Sequence, residues 1–120
     1  MDEQASHNVL SSQELSKQFE QRPDEASTKF LDEQLTVKGE ISRIDNVISA
    51  VVPRMKGTGD KYSGVHLKFH LKNRQDSKQL SEGDEAILQG VCKNFEKSTS
   101  PTGEEIGWIT ITQASTVRDN

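Results

Sequence analysis

From Leu35 onward apolar residues recur at every second position, and two of these runs carry a glycine near their centre. The runs are "LTVKGEISRID" (Leu35–Asp45) and "AILQGVCKNF" (Ala86–Phe95). A period of two places successive side chains on opposite faces, which is the pattern of a β-strand with one buried side. Glycine inside a strand costs roughly 0.5–1 kcal/mol relative to alanine. A chain tolerates that cost where a strand must bend, at a bulge or at the corner of a closed sheet. The first run also changes phase. Leu35, Val37 and Gly39 share a face, but Ile41 and Ile44, three apart, are not in phase with each other. A phase slip beside a glycine marks a bulge or a sharp coil.

Three further runs complete the set. "VISAVV" (Val47–Val52) is apolar and β-branched, and Pro53 is expected to end it. "VHLKFHLK" (Val65–Lys72) alternates most clearly, with Val65, Leu67, Phe69 and Leu71 inward and His66, Lys68, His70 and Lys72 outward. "IGWITITQASTV" closes the chain, with Ile109 and Ile111 inward and Thr110 and Thr112 outward. Between them "RMKGTGDKYSG" and "KNFEKSTSPTGEE" read as polar loops, and "DSKQLSEGD" as a turn of helix followed by a tight turn at Gly83-Asp84. Ahead of the strands, Ser11 and Glu14 have capping-box spacing, with Leu10 and Leu15 at the positions of a hydrophobic staple. Leu15 and Phe19 then share a helical face, and Pro23 restarts a second short helix carrying Ala26 and Phe30.

A helical start, three strands, a helical link and two more strands, coiled at glycines, specify a mainly β fold. The reading is a five-stranded OB-type barrel preceded by an N-terminal helical segment. An open sheet with two unrelated edge glycines is the competing architecture. Residues 1–9 are expected to form a flexible arm and 10–118 a single domain, with a helix or helical hairpin over 10–31.

Of the 120 residues 31% are hydrophobic and 28% charged, so the core is small. No run approaches the ~18 apolar residues of a membrane span. "MDEQASHNVL" lacks the apolar centre of a signal peptide. A processed fragment would look the same, so both a cytoplasmic and an exported domain stay open. Cys92 is the only cysteine. The net charge of −4 is unevenly spread: residues 50–78 carry 7 basic and 2 acidic side chains, while both flanking regions are acidic. A pI near 5.4 argues against a dedicated nucleic-acid binder, but the basic middle allows a local anionic site.

The succession "SSQELSKQFEQRPDEASTKFLDEQLTVKGEISRID", "GVHLKFHL" and "LSEGDEAILQGVC" resembles the bacterial tRNA_anti-like OB-fold family over about residues 10–112. The resemblance implies a barrel like those that bind anticodons. It also implies kinship with many exported or lipid-anchored proteins. Two features depart from the family pattern: a longer Lys/Gly-rich loop over 53–64, and a last strand without cysteine.

An OB barrel binds ligands across its second and third strands and the loops beside them. The candidate ligand-binding residues on that face are Arg54, Lys56, Lys61, Tyr62, His66, Lys68, His70 and Lys72. Tyr62 and Trp108 are the stacking platforms on offer, and Trp108, beside Gly107, reads equally as a core residue or as a rim contact that joins this set. Lysines would neutralise phosphates and the aromatic rings would stack on bases. A solvated strand face whose lysines guard an edge accounts for the same residues. His66 and His70 lie about 13 Å apart along a strand at ~3.3 Å per residue, too far for one metal ion. No metal and no cofactor is expected. "GTGDKYSG" lacks the G-K-[ST] ending of a phosphate loop, and Cys92 has no neighbouring histidine. Nothing assembles a catalytic constellation, so the chain reads as a non-enzyme. Two functions follow: a module for single-stranded nucleic acid or another extended ligand such as an oligosaccharide, or a protein-binding scaffold domain of the cell envelope.

Overall fold

The computed structural model describes residues 9–48, 50–59, 63–99 and 101–117. Except for Val9, the arm expected at residues 1–9 lies outside them. Ser11 is extended, at φ −74° and ψ 138°, and its Oγ accepts the Gln13 and Glu14 amides at 3.2 and 3.3 Å. That satisfies amides left unpaired at the start of α1 (Ser12–Gln21). Ser12, Leu15, Ser16 and Phe19 form its buried face. Pro23 opens α2 (Pro23–Phe30), where a missing N–H costs nothing. Phe19 then meets Phe30 at 6.0 Å and Phe95 at 5.0 Å between ring centroids.

The long strand β1 (Gln34–Val47) serves two neighbours in turn. Gln34–Glu40 pairs antiparallel with Glu85–Val91 of β4 (Glu85–Thr99). Ile41–Val47 pairs antiparallel with β2 (Ala50–Met55). The ring continues from β2 to β3 (Gly64–Leu71) through the pairs Arg54–Lys68 and Met55–Leu67. β3 runs parallel to β5 (Glu105–Thr116), which returns antiparallel to β4. The order β1-β2-β3-β5-β4 therefore closes on itself, and a two-residue segment, Leu10–Ser11, adds to the outside of β1. Inside lie Val37, Ile41, Met55, Leu67, Phe69, Leu88, Ile109 and Ile111, with Leu15 and Phe19 reaching in from α1. The mainly β barrel with a helical start is as the alternation predicts.

The two mid-strand glycines lie on the shared β1–β4 ladder, Gly39 opposite Ala86 and Gly90 opposite Leu35. Gly90 sits where the β4–β5 register slips between Gln89 and Val91. A Cβ there would lie 2.7 Å from both Ile111 Cγ2 and Thr112 O. A Cβ at Gly39 would collide with Ser12 Oγ. Gly90 thus serves the coil, as its place in a bulge requires. Gly39 serves a different end: it lets the first turn of α1 lie directly on the barrel wall, where Ser12 Oγ donates to Lys56 O at 2.6 Å.

Two boundaries differ from expectation. Pro53 lies within β2 rather than ending a strand begun at Val47, which belongs to β1. It faces Ile44, whose own N–H donates to Glu82 Oε2 at 3.0 Å, so this pair exchanges no ladder hydrogen bonds. The N–H that proline lacks would point away from β1, to the side where β3 pairs only from Arg54. The polar run Lys93–Thr99 is also strand, not loop. Its side chains other than Phe95 are exposed, so no apolar rhythm marks it; backbone pairing with β5 does.

Candidate functional site

The phase slip in β1 positions the first element of the site. Register shifts between Ile41 and Arg43, so Ile41 is fully buried while Arg43 and Asp45 turn to the outer surface. Re-aiming side chains is a common use of such a bulge. Arg43 then lies opposite Arg54, Arg54 opposite Lys68, Lys68 opposite Thr110, and Thr110 opposite Asn94. This row crosses all five strands, cationic at its β1–β3 end and neutral beyond. At ~4.8 Å between strands, its three cationic positions span about 10 Å. The adjoining row is His66, Trp108 and Glu96.

Trp108 is the junction of the two rows. Its half-buried ring has the Arg54 guanidinium carbon 4.8 Å from its centroid and Lys68 Nζ 5.4 Å from it. Both distances fall in the cation–π range. The His66 ring lies 5.7 Å away, tilted by 44°. Asp45 completes the cluster. Its Oδ1 is 2.8 Å from Arg43 Nε and its Oδ2 2.7 Å from Arg54 Nε.

His66 corrects an expectation. It leaves the strand on the outer side but is only 6% exposed. The segment after β2 folds back over it: the Gly57 amide donates to His66 Nδ1 at 3.1 Å. The ring proton therefore sits on Nε2, which donates to Ser63 O at 2.8 Å. With both nitrogens engaged, His66 supports Trp108 and the loop rather than facing solvent.

Of the other residues singled out, Arg54, Lys68 and Trp108 come together. His70 and Lys72 are exposed farther along the β3 side, and Lys56 borders a groove beside the start of α1 with Val9, Lys38 and Glu85. Lys61 and Tyr62 lie outside the described residues. Sequence reasoning missed Arg43 and Asp45. The signal was present: a slip between Ile41 and Ile44 inverts the phase of everything after it, which brings Arg43 and Asp45 to the face of Arg54.

Cys92 is fully buried among core side chains. Burial, with a smaller contribution from the Asp32 carboxylate, pushes its thiol up to about 11. A thiol held protonated at neutral pH is a poor nucleophile. Among the described residues no helix is long and apolar enough to cross a membrane.

The model of the tRNA_anti-like family matches residues 1–101. A solved structure from Klebsiella pneumoniae subsp. pneumoniae MGH 78578, provisionally assigned as a nucleic acid-binding lipoprotein, is similar with a TM-score of 0.64 and 19% identity, covering 98% of both chains. At that identity the likeness shows the fold. A provisionally assigned aspartyl-tRNA synthetase from Leishmania major Friedlin matches at a TM-score of 0.45 and 11% identity, covering 94% of this chain and 21% of that one. That similarity is too slight to argue from. No curated protein matches the chain in sequence.

Proposed function

The chain belongs to the tRNA_anti-like family, and from that premise we propose that it is a non-catalytic OB-fold module that binds single-stranded nucleic acid across β2, β3 and β5. The observation that carries this reading is the juxtaposition of Arg54 and Lys68, in register on adjacent strands, around the Trp108 ring. Cations of that kind neutralise backbone phosphates, and an aromatic ring on an OB face offers a base a stacking surface. The acidic flanks of the chain confine polyanion binding to this face. The assignment of the Klebsiella protein as nucleic acid-binding agrees with it.

Fluorescence anisotropy with a labelled single-stranded oligonucleotide tests the reading. Binding should appear at low salt and weaken with added salt, with a log–log slope of about −0.7 per phosphate neutralised. Reversing charge in Lys68→Glu with Lys72→Glu should abolish it. Absence of binding by the wild-type chain at low salt, even at high micromolar protein, contradicts the reading.

A second reading is a protein-binding scaffold domain of the envelope, favoured by the lipoprotein assignment of the Klebsiella structure. It predicts a protein recovered by pull-down and no oligonucleotide binding.

A further inference from the structure

We propose that Arg43 and Arg54 form a phosphate-binding pair whose place for the anion is taken, in the unliganded chain, by the carboxylate of Asp45. The inference rests on the nucleic-acid reading above and adds to it a residue, Arg43, and an internal competitor. Three observations carry it. Each carboxylate oxygen of Asp45 meets the Nε of a different arginine, at 2.8 Å and 2.7 Å. The two arginines are directly opposite each other on β1 and β2. Lys68, next in the row, continues the same line toward Trp108.

A carboxylate in ion-pair contact with two guanidinium groups, with the buried Arg54 Nε–H left without a hydrogen-bond acceptor, occupies the place the two non-bridging oxygens of a phosphodiester would take: each group is a singly charged pair of oxygen acceptors for the N–H donors of arginine. Arg43 is 60% exposed, so its pair with Asp45 is screened by solvent and exchanges readily with an incoming anion. Arg54 is the more enclosed partner, 31% exposed and held over the indole. A phosphate arriving at the row would displace Asp45 from Arg43 first and keep Arg54 in place over Trp108. Asp45 thereby lowers affinity for nucleic acid while holding the two cations together in its absence. The ligand committed to is the phosphodiester backbone of a single strand.

The test compares the wild-type chain with Asp45→Asn and Arg43→Gln. The probe is a fluorescently labelled oligo-dT of about a dozen nucleotides, within the length an OB fold engages. Asp45→Asn keeps the shape of the side chain and removes its charge. It should bind several-fold more tightly, with a log–log salt slope steeper by about 0.7, corresponding to one further phosphate neutralised. Arg43→Gln should bind several-fold more weakly with a shallower slope; circular dichroism confirms that each variant is folded. If Asp45→Asn binds no more tightly than wild type, or if Arg43→Gln binds equally well, the inference is overturned and the nucleic-acid reading stands. If neither wild type nor Asp45→Asn binds at low salt, the nucleic-acid reading itself is overturned.

Discussion

His66 and Cys92 show how much a single position depends on what covers it. His66 alternates with Leu67 as an outward residue must, and the alternation is correct about direction. What no local pattern reveals is that the Gly57 amide and Ser63 carbonyl close over the imidazole. Lys68, by contrast, was legible as a site candidate from charge on an outward phase, Arg54 from charge in a run that reads as loop, and Trp108 from ring chemistry alone. Cys92 reads as a small core residue in sequence and is one in the fold. Its burial has a consequence for stability. The folded thiol titrates near 11, against an ordinary value of 9.0. Below pH ~9 both folded and unfolded chains keep the proton, and stability is unaffected. Between the two values the unfolded chain loses the proton while the folded chain retains it, so stability falls as pH rises. The loss should approach roughly 2–3 kcal/mol and level off above the folded value. Urea unfolding at several pH values between 8 and 11 checks this, read as the difference from Cys92→Ala to remove other titrations. An identical pH slope in Cys92→Ala would contradict the account.

At the scale of elements, the helix caps, the strands and the glycine positions follow from spacing, while boundaries do not. Ser11, Pro23 and the Leu15–Phe19 pair specify α1 and α2 through satisfied amides and a buried stripe. β4 extends seven residues beyond Cys92, through a stretch that reads as loop, because backbone pairing with β5 needs no apolar side chains. Pro53 fits inside β2 because its missing N–H falls on the side of β3, whose pairing with β2 begins only at Arg54. Gly39 was legible as a special position, but its reason is a helix that arrives from more than twenty residues earlier, which strand periodicity cannot encode. The physical account is a steric one, and it predicts coupling. Gly39→Ala drives a Cβ into Ser12 and should cost roughly 1–3 kcal/mol, as overpacking does. Combining it with Ser12→Gly should recover part of that loss relative to the sum of the single changes. Strict additivity in a thermal-unfolding cycle would show that the helix does not bear on Gly39.

Across the whole molecule, one strand shared between two neighbours closes a five-stranded ring, and closure is what converts scattered residues into a surface. Arg43, Arg54, Lys68, Thr110 and Asn94 are far apart in the chain and adjacent only because the ring sets their register. Glu96 stands beside Trp108 in the adjoining row, so the face is cationic at its β1–β3 end and carries an acidic group on its β4 side. The net charge of the chain is negative, yet the β1–β3 end of this surface gathers Arg43, Arg54 and Lys68, and a local cationic site of that kind does not require a basic protein. The fold class was accessible from periodicity because a closed barrel requires both alternation and coil. The row was not, since register between distant strands is set by the core they enclose. Trp108 is the only tryptophan in the chain, so its emission reports directly on the centre of the proposed interface. The decisive measurement is therefore the intrinsic fluorescence of the wild-type chain titrated with an unlabelled single-stranded oligonucleotide at low and at moderate salt. The account predicts saturable quenching at low salt whose midpoint moves to higher oligonucleotide concentration as salt rises. Emission that stays unchanged while the same oligonucleotide binds would contradict it, because the ligand would then sit away from Trp108.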